Sequence, residues 1–345
     1  MGFSWFLIIV LFFPASGICG QTYAVKPVDK VVLLELYGDN NYPVGKSDRL
    51  VQRLGDIRQT GRPYPPLEAR GMGTLVEITA AGKTHTILFD SGSRGDVMRN
   101  NFSYFHRNPA DIEAIVVSHG HSDHFGGLGE VLKMIREQGN NRNIPIHVGS
   151  REAFESRYFR QKNGDLKGPW KWPREEVEQL GGRHVVTGKP ELLLGGLALY
   201  TGPIPRIVPY EKMNLKKKKG WCVKEKDGTV RMINMPEDSA LVVHVKNRGL
   251  VVISGCTHSG VTNTLRYARQ LTEVGSVYAR FGSYPKEDPA KLIKDLLEIK
   301  PVYFIGAHCS PNRPDLMYHL RHQLPENGIH YYQSVIGSKF TFLSH

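Results

Sequence analysis

The sequence predicts an α/β (α+β) fold built in layers. Three observations carry this. Short runs rich in Val, Ile, Leu and aromatics recur along the chain, each bounded by Gly, Pro, Asn or Asp. Stretches with apolar residues at helical spacing lie between some of these runs. The 345 residues are 40% hydrophobic and 23% charged, a balance that can bury a sizeable core and does not read as disordered.

The first residues stand apart. Phe3 to Pro14 is nearly continuous apolar sequence, small residues follow it, and no charged side chain precedes Lys26. The run is short for a membrane span, so residues 1–24 are expected to be a secretory signal cleaved near Gly20 or Ala24. The mature protein would then be periplasmic or extracellular. An uncleaved anchor, or a lipid on Cys19, is the alternative. No transmembrane helix is expected in the mature chain.

Residues 25–345 then form one domain. Strands are expected at Val31 to Tyr37, Thr74 to Thr79, His85 to Phe89, Ala114 to Val117, Ile144 to Val148 and Leu197 to Tyr200. Further strands are expected at Ala240 to Val245, Leu250 to Ser254, Ser276 to Phe281, Val302 to Ile305 and Lys339 to Phe342. Helices are expected at Gly127 to Gln138, Thr262 to Val274 and Pro289 to Ile299, where apolar residues recur every three or four positions. The stretch 151–236 holds Trp170, Trp172, Trp221, several Pro and Gly and a lysine run, and reads as a long irregular insertion that shapes a site.

Cys222, Cys256 and Cys309 remain once the leader is removed, an odd number at wide spacing that is no disulfide framework. Cys256 and Cys309 each neighbour a histidine, so association with a site is read first and a bridge second. The net charge of +12 suits an anionic small-molecule substrate. The run Lys216 to Lys219 has no aromatic interleaving and belongs to no recognisable nucleic-acid module, so it is read as a solvated loop.

The chemistry is concentrated in Ser118-His119-Gly120-His121-Ser122-Asp123-His124, where four potential ligands fall within six positions directly after an apolar strand. A loop at a strand end can aim such side chains at one point. Imidazole suits zinc, and a carboxylate adds an oxygen donor that also tolerates manganese or iron. The expected cofactor is one or two zinc ions, with Mn2+ or Fe2+ as the other choices. Two later segments, Ser254-Gly255-Cys256-Thr257-His258 and Gly306-Ala307-His308-Cys309, each place a histidine just past a strand, which makes His258 and His308 further candidate ligands.

The run His119-x-His121-x-Asp123-His124 resembles the H-x-H-x-D-H signature of the metallo-β-lactamase superfamily. The resemblance implies a four-layer αββα sandwich with metals at one edge of two sheets. It implies that His119 and His121 serve one metal and that Asp123 and His124 serve the other. Asp90, in Asp90-Ser91-Gly92, matches the family's upstream aspartate, which would steady the metal loop by hydrogen bonding; an Asx turn is the other reading. Cys256 stands near where many members place a bridging aspartate, and is either a soft ligand or a small buried residue.

From about Val31 to Tyr332 the pattern is similar to the dihydropterin-methyl-ribofuranosylaminobenzene phosphate synthase-like subfamily. Here that subfamily's motifs read Gly255-Cys256-Thr257-His258, Thr201-Gly202-Pro203-Ile204-Pro205-Arg206 and His308-Cys309. Arg206 is then a candidate anion contact, or else a surface charge. Two histidines of the subfamily pattern are absent: Arg280-Phe281-Gly282-Ser283-Tyr284 and Ala69-Arg70-Gly71 stand in their places. The expected function is a hydrolase that uses a metal-activated water on an ester, lactone, amide or phosphoester, with Asp123 as a metal ligand that orients the water. A synthase-like transferase and a non-catalytic metal-binding relative are the alternatives; the leader argues against the first, and the missing histidines motivate the second.

Overall fold

The computed structural model describes residues 21–38, 51–52, 66–212, 215–216, 218–282, 289–309 and 314–345. The expected leader lies almost entirely outside these residues, as do Ser283 and Tyr284.

The strands in chain order are β1 (Lys30–Tyr37), β2 (Val51–Gln52), β3 (Gly73–Ala80), β4 (Lys83–Phe89), β5 (Ile112–Val116), β6 (Ile144–Val148), β7 (Arg157–Arg160), β8 (Leu166–Trp170), β9 (Gly182–Val186) and β10 (Glu191–Leu193). They continue with β11 (Ala198–Tyr200), β12 (Gly220–Lys224), β13 (Val230–Met232), β14 (Ala240–Val245), β15 (Gly249–Ser254), β16 (Val277–Gly282), β17 (Tyr303–Ala307), β18 (His330–Gln333) and β19 (Lys339–Leu343). The helices are α1 (Gly95–Tyr104), α2 (Ser122–Phe125), α3 (Leu128–Glu137), α4 (Arg174–Gln179), α5 (Val261–Thr272), α6 (Pro289–Ile299) and α7 (Pro314–Glu326).

Two large sheets form the frame. One runs β2-β19-β1-β3-β4-β5-β6-β9 and the other β10-β11-β14-β15-β16-β17-β18. Their facing sides pack Val31, Leu33, Ile87 and Phe89 of the first against Tyr200, Val243, Val251 and Ile253 of the second. The outer face of the first sheet is covered by α1, α3 and α4 through Met98, Phe102, Leu132 and Val177. The outer face of the second is covered by α5, α6 and α7 through Leu265, Leu296 and Leu320. These are the four layers of an αββα sandwich.

Strand polarity positions the site. The pairs β4–β5 and β5–β6 are parallel, and so are β15–β16 and β16–β17. Parallel central strands buried on both faces read as unbroken apolar runs, and β15 is buried at every residue. Their carboxyl ends lie together, so the loops after β4, β5, β15 and β17 converge on one edge, as ligand-binding loops of open α/β sheets do.

The stretch 151–236 is not an irregular insertion. Strand β9 pairs with β6 in the first large sheet, and β10 and β11 belong to the second. Only β7, β8, β12 and β13 stand apart, as a four-stranded sheet ordered β13-β12-β7-β8 with its own small apolar cluster at Val223, Ile233 and Met235. These strands are short and mostly half-buried, and Gly, Pro and Lys interrupt the alternation of β8 and β12, which hides them in the sequence. Helices α1 and α7 were also hidden. The first is rich in Asn and Ser, and the second carries Pro325 near its end. Among the described residues no helix is long and apolar enough to cross a membrane.

Candidate metal centre

Strand β5 ends at Val116, and the chain turns through Ser118 to Asp123 into α2. The turn is held from several sides. Ser91 N–H donates to the His124 carbonyl at 2.7 Å, and Met72 N–H to the Asp123 carbonyl at 3.2 Å. Gly71 has φ +131°, and a Cβ there would stand 2.3 Å from the Asp123 carbonyl oxygen, so only glycine fits.

Asp90 organises the imidazoles from below. It is fully buried, with the left-handed φ of +60°. Its carboxylate accepts from Ser118 N–H at 2.7 Å, from the Ser118 hydroxyl at 2.8 Å and from His124 Nδ1 at 2.7 Å. In the neutral imidazole this leaves the His124 Nε2 lone pair open to a cation. The Ser118 hydroxyl has one proton and gives it to Asp90, so it accepts from His119 Nδ1 at 2.9 Å. That leaves a lone pair on His119 Nε2, which lies 2.9 Å from His121 Nδ1. Burial, with the neighbouring imidazoles, lowers the His119 pKa well below its ordinary value. Burial lowers His121 in the same way. Both rings are therefore neutral donors at neutral pH.

The loops after β15 and β17 close the cluster. His258 lies 4.5 Å from His119 and 4.9 Å from His121, ring centre to ring centre. His308 Nε2 lies 3.3 Å from Asp123 Oδ2, and Cys256 Sγ lies 3.2 Å from His124 Nε2. Burial opposes the ionisation of Asp123, yet the hydrogen bond from His308 and the nearby imidazoles hold its pKa well below the usual range. His124 is raised: burial works against its charge and is outweighed by Asp90. Thr257 and His308 have φ of +58° and +25°, local strain of the kind found at functional sites.

The donors meet in sets: His119, His121 and His258; Asp123, His124 and His308; His119, His124 and Cys256; and Cys256, His308 and Cys309. In each set the ligand atoms lie within 4.8 Å of one another. Two nitrogens on one tetrahedral zinc, each bonded at about 2.0–2.1 Å, stand roughly 3.3 Å apart. His119 Nε2 and His121 Nδ1 stand 2.9 Å apart, a little less than that. The residues fit one or two divalent cations.

Above them opens a pocket of about 540 Å³. Its upper wall is aromatic and comes from the four-stranded sheet. Trp221 lies tilted against His121 with ring centres 4.1 Å apart, and Trp170 and Phe159 lie 5.3 Å and 5.5 Å from Trp221. Lys167 and Arg70 bring positive charge to the same pocket, and Arg70 Nε lies 3.4 Å from Asp123 Oδ2 with most of its side chain exposed.

Comparison with known proteins agrees with this fold. The crystal structure of a metal-dependent hydrolase of the β-lactamase superfamily superposes with a TM-score of 0.63 at 20% identity, over 91% of this chain and all of that one. Residues 71–211 match the family described as the metallo-β-lactamase superfamily. The chain has the metallo-β-lactamase fold. A 7,8-dihydropterin-6-methyl-4-(β-D-ribofuranosyl)-aminobenzene-5′-phosphate synthase of Methanocaldococcus jannaschii is 28% identical over 80% of this chain and 92% of its own length. An uncharacterised protein of the same organism is 24% identical over 70% of this chain and 83% of its own.

Within the metallo-β-lactamase fold, the structure brings His119, His121, Asp123, His124, His258 and His308 to one place, with Asp90 beneath them. Cys256 lies inside the cluster, and Cys309 lies beside it. Arg206 does not line this pocket. Its guanidinium donates to the carbonyls of Asn234 and Met235, which stitches two loop segments together. Arg70, in the Ala69-Arg70-Gly71 stretch that stands in place of one of the subfamily's histidines, lines the pocket instead. Glu237, in the acidic stretch Glu237-Asp238-Ser239 that resembles the subfamily's entry to β14, has a place in the site that the sequence did not assign to it. Its Oε1 accepts from Gly120 N–H at 2.9 Å, between the first two histidines, and from Arg157 at 2.8 Å. The next residues continue the bracket. Asp238 accepts from Ser259 N–H at 2.7 Å, and Ser239 N–H donates to the Ser118 carbonyl. The acidic lead-in to β14 was the available signal.

Proposed function

We propose that this chain is a metal-dependent enzyme that hydrolyses an ester or phosphoester of a small anionic molecule carrying a planar ring. One observation carries the reading. Convergent imidazole and carboxylate donors form the floor of a pocket whose wall is aromatic and whose rim is cationic. On this reading His119, His121 and His258 hold one cation, and Asp123, His124 and His308 hold a second. Such a cation acts as a Lewis acid and lowers the pKa of a water to near neutrality.

The chain's own groups do the rest. Asp123, its pKa held well below the usual carboxylate range against the effect of burial, is placed to accept a hydrogen bond from the attacking water and fix its direction. Trp221 and Trp170 offer ring faces for a planar substrate. Arg70 presents a fork of donors suited to phosphate or carboxylate, and Lys167 adds a point charge.

A synthase-like transferase is the second reading. The relative from M. jannaschii favours it, because that protein's name describes an aromatic 5′-phosphate product and its length is nearly all matched. The same pocket would then take a condensation with loss of a phosphate-type leaving group. The exported location expected from the leader favours the hydrolase, and cell fractionation tests it.

The experiment is elemental analysis of the purified mature protein and of His121→Ala, with both run on a panel of esters, lactones, phosphoesters and phosphate-releasing condensations. Wild type should carry about one or two equivalents of metal and turn over one class, while the variant carries less metal and loses turnover. Less than about half an equivalent in wild type, after incubation with zinc, would overturn the metal centre.

A further inference from the structure

We infer that Cys256 and Cys309 act together as metal ligands, so that the position beside His308 carries two thiolates and Cys256 is placed to bridge it to the histidine position. This rests on the metal-centre reading above and extends it to two residues that reading leaves unused.

The strands bring the pair together. β15 and β17 flank β16 in parallel, so their carboxyl ends lie two strands apart on the same edge. Cys256 follows β15 and Cys309 follows β17, and the two sulfurs stand 3.2 Å apart. Both cysteines are free and buried. Gly282 N–H donates to the Gly255 carbonyl at 2.8 Å, and a Cβ on Gly255 would stand 2.1 Å from the Ser118 hydroxyl oxygen. The backbone before Cys256 is therefore pressed against the floor of the cluster.

The surroundings are those of a ligand and not of a core thiol. Cys256 faces His124 Nε2, the lone pair that Asp90 leaves open, at 3.2 Å. Cys256 belongs to two donor sets at once, with His119 and His124 on one side and with His308 and Cys309 on the other. Cys222 supplies the contrast: it sits in β12 near the Tyr158 carbonyl and belongs to no donor set among the described residues. Two thiolates make the position soft, favouring zinc or cobalt over manganese or magnesium.

The test is cobalt(II) reconstitution followed by absorption spectroscopy, with Cys256→Ser, Cys309→Ser and Cys222→Ser variants. Wild type and Cys222→Ser should show an intense near-ultraviolet sulfur-to-cobalt band. Cys309→Ser should lose roughly half of it and Cys256→Ser more than half. Extended X-ray absorption of zinc-loaded wild type needs no variant and stands if one fails to fold: it should contain a sulfur shell at about 2.3 Å beside nitrogen and oxygen at about 2.0–2.1 Å. Stoichiometric metal with a nitrogen and oxygen shell alone overturns the thiolate assignment and leaves the metal centre intact. Failure of wild type to bind cobalt or zinc at all overturns both.

Discussion

Asp90 gathers three hydrogen bonds on one buried carboxylate, from Ser118 twice and from His124 once. Asp90→Asn can accept only on its one oxygen and turns an N–H pair toward His124 or Ser118. The preferred tautomers of His119 and His124 are then lost. Metal affinity should fall about 10–100-fold, the range for a partner that orients a ligand. Competition with a chromogenic chelator measures this, and an unchanged affinity would remove Asp90 from the site. Glu211 gives a second prediction. It is buried and accepts from Thr262 N–H and Asn263 N–H at the start of α5, just after the His258 loop. Burial raises its pKa to about 7 from an ordinary 4.5, against the pull of those donors. The folded state thus holds this proton more tightly than the unfolded state. The resulting stability is full below about pH 4.5 and is lost as pH rises through 7, up to about 3 kcal/mol. In chelator-treated protein, wild type should therefore lose more Tm between pH 5 and pH 8 than Glu211→Gln does. Equal losses would contradict the assignment. Asp90 was legible because it precedes Ser-Gly at a strand end. Glu211 was not, because only the fold brings it to a helix start 51 positions away.

At the scale of elements, the four-stranded sheet and the metal loop are joined by one buried ion pair. Arg157, on β7, is fully buried and meets Glu237 at 2.8 Å, and Glu237 holds the Gly120 N–H. The strand that carries Phe159 to the pocket wall is thereby tied to the turn that carries His119 and His121. Arg157→Leu would leave the Glu237 carboxylate buried with its backbone donor alone. Breaking a buried pair in this way costs about 3–5 kcal/mol, whereas replacing both partners with apolar residues costs less, chiefly the Gly120 N–H left without its acceptor. Denaturant unfolding of Arg157→Leu against the double variant Arg157→Leu/Glu237→Leu reads the difference, and equal midpoints would sink the argument. The large sheets were legible because their strands are apolar on both faces. The small sheet was not, because exposed strands such as Leu166–Trp170 look like loop. The Glu237 bracket spans 117 positions, and no local pattern reports a pairing that distant.

At the scale of the molecule, donors from the loops after β5, β15 and β17 bring together both large sheets at one edge. A cation shared among them therefore stabilises the sandwich as a whole, and its removal should be felt in global unfolding. Binding to the folded state alone adds about 2.7 kcal/mol when free metal is a hundred times its Kd. A domain of 150–250 residues shifts by about 2–4 °C per kcal/mol, and this longer chain sits near the lower figure, so chelation should lower Tm by roughly 5 °C or somewhat more. Titrating zinc back should raise Tm steadily with the logarithm of its free concentration, while His121→Ala should respond weakly. Two fates of the apo protein separate here. If the donors stay clustered without metal, hydrogen exchange at residues 118–124 and 256–258 stays slow after chelation. If the loops open, exchange at those residues becomes faster. A Tm unmoved by either chelator or zinc, with metal still present by elemental analysis, would place the ion outside this convergence of loops.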